Sequence, residues 1–388
     1  MKLENSTFPH SNARVSVPVI SLALYAIASG YLMSLIPLML PLKGMDESLA
    51  SMLASIFYAG LLLGALGVEP VIKRFGHKGV FLLCLSTFAL TTLCISLYTD
   101  SFIWLTSRFI AGISVAGIFV TVESWLIHGA ENARAKRLSL YMASLYGGSA
   151  LGQSGIGLIG VSGHVPFIAI VSLLIGSILI LIFGQSDQPA SEDSNSITFT
   201  QLKRLNHSAI IGCMVSGLTM SAIYGLMPLE LQSLGISNTD ISGLMAAVIL
   251  GGMSIQPILP WMSKALSHTL LMALFALLGV TAIAIATLIG TTGALACALF
   301  LLGVSTFALY PVAINLGCKG LDKEYIVSAT QVMLISYSLG SVMGPIMAEQ
   351  FNHGSEGVMQ YLFITLLTTC VYMIIHSVRN MKAAITKA

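Results

Sequence analysis

Two side chains of opposite charge lie inside one long apolar stretch of the chain. Arg108 and Glu123 both fall in the segment 102–128, which is otherwise rich in Ile, Val, Phe and Trp. If this segment is helical, their spacing brings the two side chains to within about 60° of one another around the axis, and about 22 Å apart along it. They therefore share a face but lie too far apart to form an ion pair.

The roles of these two charged side chains follow from their apolar surroundings. An arginine inside a membrane helix costs at least about 2.5 kcal/mol unless it is paired or faces water. This favours binding or gating for Arg108, with snorkelling to the interface as the alternative. An intramembrane carboxylate is a candidate for proton binding, so we predict that Glu123 binds a proton or a substrate. The alternative is a structural pair with the basic segment 134–137.

Uncharged polar residues inside apolar segments complete a candidate cavity. We expect about half of them to touch a substrate and the others to join helices, where one interhelical hydrogen bond contributes about 0.6 kcal/mol on average. They are Tyr146, Gln153, Tyr224, Gln256, Tyr310, Asn315, Gln331 and Tyr337. The six cysteines stand singly and show no metal-ligand spacing, so we predict no metal site and no cofactor.

Membrane-spanning helices must position these residues. The chain is 56% hydrophobic and only 9% charged, which excludes an ordinary soluble domain. Its apolar blocks are about 20 residues long, enough to cross a bilayer core of about 30 Å. They predict an all-α membrane protein with twelve spans, numbered 1 to 12 in chain order, at about 15–42, 48–68, 79–98, 102–128, 138–162, 165–184, 208–233, 240–263, 269–289, 293–317, 325–350 and 357–378.

Loop charges predict the orientation. Of the 18 Lys and Arg residues, all except Lys43 and Arg108 fall at the ends of spans on the side that carries both termini. Positively charged loops stay on the inner side of the membrane, so we expect both termini in the cytoplasm.

The second half of the sequence resembles the first. Pro37 and Pro228 are 191 residues apart, and the same offset relates Gly112 to Gly303. A polar stretch from Ser186 to His207 lies between the two copies. We therefore predict a first six-helix half at 1–185, a cytoplasmic linker at 186–207 and a second half at 208–388. Two parallel six-helix repeats are the arrangement of the major facilitator fold.

The internal symmetry singles out one further acid. Glu230 occupies a repeat position where the first half has Met39. An acid that breaks the symmetry suggests a local role. Near the outer end of span 7, Glu230 is expected either to pair with Arg108 across the two halves or to reach the lipid head groups.

Short motifs agree with this fold. Lys73, Arg74, Gly76, His77 and Lys78 resemble the DRxGRK loop of major facilitator transporters, although Lys73 replaces its Asp and His77 its second Arg. We interpret these residues as a gating loop, with positive-inside charge and a turn as the alternative. Arg108 to Gly112 resembles the family's RxxxG motif. Small residues four apart allow close helix packing, and we assign that role to Gly148, Gly152, Gly340, Gly344 and Pro345; the first pair resembles the family's GxxxGP motif, with Gln153 replacing the proline.

The chain as a whole resembles the YcaD-like branch of bacterial major facilitator proteins. The stretches that carry the resemblance are 71–74, VESWL, GLMPL, LYPVA and 338–345. The resemblance implies a carrier of the bacterial inner membrane, and we expect it to be a secondary active transporter that moves a small solute by alternating access. We expect protons as coupling ion, a monomer in the lipid bilayer, no nucleic-acid partner and no enzymatic activity. The alternative is a receptor or partner subunit with a transporter fold and no flux.

Overall fold

The structure is a computed structural model that describes residues 16–127, 131–185, 206–289, 291–319, 323–351 and 357–385. Within these ranges the chain is helical and contains no strand. The elements are α1 Ser16–Leu42, α2 Leu49–Leu97, α3 Ser101–Ile127, α4 Glu131–Met142, a π-helical turn Ala143–Gly147, α5 Gly148–Leu158, α6 Val165–Phe183, α7 His207–Ser233, α8 Asn238–Ile255, α9 Leu259–Ala265, α10 His268–Ile289, α11 Thr292–Cys318, α12 Lys323–Glu349 and α13 Gly357–Ile385.

These elements give the twelve predicted spans. Among the described residues, ten helices are long and apolar enough to cross a membrane. One of them, α2, is 49 residues long and contains spans 2 and 3. Span 5 is a composite of α4, the π-helical turn and α5, and span 8 consists of α8 and α9. Spans 1, 4, 6 and 7 are α1, α3, α6 and α7, and spans 9 to 12 are α10 to α13.

The break predicted between spans 2 and 3 is not a loop. The helix continues through residues 69–78 and changes direction at Gly76, whose φ of 71° and ψ of 165° are not helical. A positive φ is accessible to glycine because it has no Cβ. The expectation of a separate loop was therefore wrong, since one glycine turns the chain while its neighbours remain helical.

Backbone contacts show that the two halves, spans 1–6 and spans 7–12, are built alike. A Cβ on Gly112 would lie 2.0 Å from the Phe57 carbonyl oxygen, and a Cβ on Gly303 would lie 2.0 Å from that of Val248. Both members of the second pair follow those of the first by 191 residues. Spans 2 and 4 thus approach as closely as spans 8 and 10. The absence of a side chain at each glycine is what permits this distance.

The glycines predicted to pack helices follow the same rule. In span 5, a Cβ on Gly152 would lie 2.2 Å from the Ile27 carbonyl oxygen of span 1. In span 11, a Cβ on Gly344 would lie 2.4 Å from the Leu218 carbonyl oxygen of span 7. Gly148 and Gly340 likewise face the carbonyl oxygens of residues 23 and 214.

The helices alternate in direction, which gives the bundle two ends. We call the end where span 1 begins and span 12 ends the terminal face, and the end with the 43–48 connection the opposite face. Spans 1 and 7 stop at the opposite face in matching turns, where Gly44 has a φ of 69° and Gly235 a φ of 76°. The Met45 and Ile236 N–H groups close these turns by donating to Leu40 and Leu231 carbonyls.

The halves meet near the opposite face. A Cβ on Gly225 of span 7 would lie 2.6 Å from the Ala54 Cβ of span 2, and a Cβ on Gly157 of span 5 would lie 3.1 Å from the Thr239 Cα of span 8. At the terminal face, by contrast, α4 and α9 pack mainly against helices of their own half. Among the described residues, the bundle is therefore closed at the opposite face and parted at the terminal face.

Candidate functional site

A small cavity lies between the halves, below the opposite face. Its volume is about 50 Å³, and its wall comes from spans 1 to 4 and span 7. Arg108 lines it, about 10 Å below the end of span 4. The Arg108 guanidinium lies 4.1 Å from the centre of the Phe57 ring, and its Nε has no hydrogen-bond partner among the described residues. The Tyr58 and Tyr25 hydroxyls lie within electrostatic reach of this charge.

Aromatic rings from both halves form a layer next to this cavity. Tyr224, which lines the cavity, packs edge-on against Phe307 with 6.3 Å between ring centres. Phe307 of span 10 also meets Tyr146 of span 5, at 5.5 Å. Counted along the helices, Tyr146 and Phe307 lie about 18 and 22 Å from the opposite face, deeper than Arg108. The layer therefore separates the cavity from the parted terminal face.

Glu123 lies on the terminal side of this layer. Its side chain is exposed although it belongs to a membrane span. It lies within electrostatic reach of Tyr141 in its own half and of Tyr310 in the other half. Glu123 therefore faces the space between the halves, and it makes no ion pair among the described residues.

The basic segment 134–137, which is the alternative partner of Glu123, is described only in part. Arg137 is buried, and its Nε donates a hydrogen bond of 2.8 Å to the Leu126 carbonyl at the end of span 4. The Arg134 side chain lies outside the described part of the structure. The visible Arg137 bond closes the end of span 4 rather than neutralising Glu123.

Neither expectation for Glu230 agrees with the structure. Its carboxylate accepts hydrogen bonds from the backbone N–H groups of Val358 and Met359, the latter at 3.1 Å. Glu230 is 7% exposed and therefore caps the first turn of span 12 instead of pairing with Arg108 or reaching the lipid head groups. The first N–H groups of a helix have no partner within it, and a carboxylate there also interacts favourably with the helix dipole.

Gln153 joins helices and does not line the cavity. It is fully buried, accepts a 2.7 Å hydrogen bond from the Ser34 hydroxyl and donates a 2.8 Å hydrogen bond to the Gly30 carbonyl. Both partners belong to span 1. The prediction of Gln153 as a substrate contact is therefore corrected, since all its visible hydrogen bonds hold span 5 to span 1.

The remaining polar candidates divide by position. Tyr310 and Tyr337 pack in a tilted arrangement between spans 10 and 11, with 4.8 Å between ring centres, and are half-buried. Asn315 and Gln331 have exposed side chains nearer the terminal face. Gln256 donates a hydrogen bond of 3.4 Å to the Gly252 carbonyl of its own span, which is a local contact.

The predicted gating residues lie at the terminal face within the first half. Lys73 pairs with Glu69 at 3.4 Å, and the Arg74 guanidinium lies 5.4 Å from the centre of the Phe75 ring. His77 is buried, with its Nε2 3.0 Å from the Ser124 hydroxyl of span 4. Lys78 donates to the carbonyls of Ile182 and Gly184 at the end of span 6. In this conformation the segment ties spans 3, 4 and 6 together.

Several residues of the site were not predicted from the sequence. Phe57 and Phe307 are ordinary members of apolar helices, and a phenylalanine carries no polar signal. Tyr58 could have been found, because its hydroxyl in an apolar span is the same signal that selected Tyr224. The role of Gly252 is evident only in three dimensions, because a Cβ at this position would lie 2.3 Å from the Phe307 ring.

Comparison with known proteins identifies the family. The model of the Major Facilitator Superfamily matches residues 19–345. The chain belongs to this superfamily and is a multi-pass membrane transporter. An MFS-type transporter of Enterobacter sp. (strain 638) is 32% identical over 327 residues, which cover 84% of this chain and 85% of the relative. The MFS-type transporter YcaD of Escherichia fergusonii is 31% identical over 363 residues, covering 92% and 94%. The predicted resemblance to the YcaD-like branch is confirmed.

Solved structures confirm the predicted fold. The nucleoside transporter NupG superposes with a TM-score of 0.75 at 13% identity, covering 94% of this chain and 98% of that one. A bacterial homologue of the human lysosomal transporter Spinster, in an inward-facing and occupied conformation, gives a TM-score of 0.74 at 13% identity, with 94% and 96% covered. At such identities the likeness concerns the fold alone.

Proposed function

We propose that the protein is a secondary active transporter that moves a small solute by alternating access. The observation that carries this proposal is the asymmetric contact between two similar halves. They pack together at the opposite face and part at the terminal face. Candidate binding residues from both halves lie in the space between them. Rocking of the halves about such a site is the general mechanism of transporters with this kind of repeat.

The loop charges support an orientation for this movement. Basic residues gather at the terminal face, which we assign to the cytoplasm of a bacterial inner membrane. The structure then corresponds to the inward-facing state. The moving bodies are the halves 1–185 and 208–388 with the linker 186–207 between them, and we propose that one monomer forms the complete unit.

The site residues receive separate roles. Arg108 sets a positive potential in the cavity, while Glu123 lies exposed on the cytoplasmic side of the aromatic layer and binds the coupling proton. Phe307 and Tyr146 meet across the halves, so their separation would connect the cavity to the cytoplasmic opening. A group that binds a proton on one side and feels the conformational change can link proton movement to the solute.

A receptor without flux is less well supported. The relatives described above are transporters by name, and the site lies between the halves rather than on an outer surface. A receptor would bind a ligand without moving protons or solute, so a flux measurement separates the two functions.

The experiment uses inverted membrane vesicles and a pH-sensitive dye. A panel of anionic, neutral and cationic aromatic solutes is added to vesicles containing the wild type, Glu123→Gln or a double variant, Gly157→Cys with Thr239→Cys. The two new cysteines would lie close enough for a disulfide, which locks the periplasmic contact. We expect at least one solute to cause proton movement in vesicles with the wild type and in neither variant. Reduction of the disulfide should restore this proton movement in the locked variant. Absence of solute-dependent proton movement in the wild type would refute the function.

A further inference from the structure

The described wall of the cavity carries a positive charge and no negative one. Arg108 is the only charged residue among the described side chains that line it. The guanidinium rests against the face of Phe57, and its Nε has no hydrogen-bond partner in the described structure. Arg108 is half-buried, and a cation withdrawn from water without a counter-charge is unfavourable, so an anion that enters the cavity would relieve this cost.

We propose that this cavity binds the anionic group of the transported solute, which is an amphipathic monoanion with an apolar or aromatic body. The inference rests on the proposed function, because it names the class of substrate for the same site. A carboxylate suits the site because a guanidinium offers two parallel N–H donors to such an anion. The Tyr58 and Tyr224 side chains in the wall can add O–H donors.

The cavity is large enough for the anionic head of the solute but not for its body. A volume of about 50 Å³ has room for roughly three to five water molecules, which is enough for a carboxylate but not for a whole solute. The body must therefore extend past Tyr224 toward Phe307 and Tyr146. Aromatic rings at these positions present apolar faces and edges to a flat or aliphatic body.

The other charges of the site argue against a cationic or zwitterionic solute. A cation in the cavity would be repelled by Arg108. Glu123 is an acid on the terminal side of the aromatic layer, and it lies about 22 Å from Arg108 along the helix. A small zwitterion cannot reach both charges at once, so the structure favours one negative charge and an uncharged body.

The test compares three probes with one body and different heads. Phenylbutyrate, phenylbutanol and phenylbutylamine share a phenylbutyl group and are anionic, neutral and cationic at neutral pH. Their affinities for the purified full-length protein are measured from ligand-dependent shifts of the unfolding temperature. We expect phenylbutyrate to bind about 10- to 100-fold more tightly than phenylbutanol, because its carboxylate would form charged hydrogen bonds with Arg108. Equal or tighter binding of the alcohol or the amine would overturn the inference without any variant.

Variants then locate the preference. Arg108→Gln should reduce phenylbutyrate binding to the level of phenylbutanol, and Arg108→Lys should restore part of the difference. Lys264→Gln removes one exposed positive charge outside the cavity and should keep the full preference. Retention of the preference in Arg108→Gln would also overturn the inference. Preferential binding of the acid without any solute flux would contradict the proposed transport but not this binding site. Flux of other solutes without a preference for the acid would contradict this binding site but not the proposed transport.

Discussion

Glu230→Ala should destabilise the protein because it leaves two buried backbone N–H groups without an acceptor. The carboxylate accepts from Val358 and Met359 at the start of span 12 and is 7% exposed. Each buried donor that loses its partner costs about 1–3 kcal/mol, so for two donors we expect a loss of about 2–6 kcal/mol in the free energy of unfolding. For a chain of 388 residues this corresponds to a decrease of about 2–7 °C in Tm. Glu230→Gln keeps one acceptor oxygen and should lose about half as much.

The assay is thermal unfolding of purified variants in one detergent at one scan rate. Glu47→Ala is the matched control, because it removes an exposed acid at the same face and should leave Tm unchanged. Transport per folded molecule should stay close to that of the wild type in Glu230→Gln. A wild-type Tm in Glu230→Ala would refute the capping role, and loss of proton-driven transport at unchanged Tm would assign Glu230 to coupling instead.

Glu123→Gln should abolish proton-driven transport while the variant remains folded and inserted, because the carboxylate faces the space between the halves; transport with unchanged pH dependence would contradict this role. Gly112→Ala and Gly303→Ala should each cost about 1–3 kcal/mol, since the added Cβ meets a backbone oxygen 2.0 Å away. Gly243→Ala, which meets nothing within 4 Å, should instead stabilise by about 0.5–1 kcal/mol, and equal effects at all three sites would refute the packing argument. Reporter fusions after Ala388 and within the linker 186–207 should both report a cytoplasmic location, and a periplasmic signal at either would overturn the orientation.

Hydropathy was sufficient to predict the spans because bilayer thickness fixes their length. The predicted bounds of span 1 at 15–42 and of span 9 at 269–289 differ by one residue from Ser16–Leu42 and His268–Ile289. The failure at residues 69–78 has a physical cause. Polar residues there suggested a loop, but the backbone remains helical, and only the φ of Gly76 departs from the helix.

The internal repetition is also visible in the contacts between spans. The offset of 191 residues was read from Pro37 and Pro228, and it relates the closest backbone contacts of one half to those of the other. The role of Glu230 could not be predicted from the repeat. An acid at an asymmetric position looked like a site residue, yet its partners are backbone N–H groups that every helix possesses.

The candidate site was predicted only where polarity made it visible. Arg108 and Glu123 stood out as charges in apolar spans, and both face the space between the halves. Gln153 stood out for the same reason but bonds only to span 1. Phe307, which joins Tyr146 to Tyr224, gave no signal because its role depends on a contact between spans distant in sequence.

Alternating access is tested most directly by distances between spin labels in proteoliposomes. On a background without the six native cysteines, one pair of labels replaces Lys136 and Lys264 at the terminal face, and a second pair replaces Leu158 and Leu234 at the opposite face. All four positions are exposed. We predict two populations for each pair, with the terminal distance shortening as the opposite distance lengthens when solute or a pH gradient is applied. A single distance for each pair, unchanged under both conditions, would contradict the account.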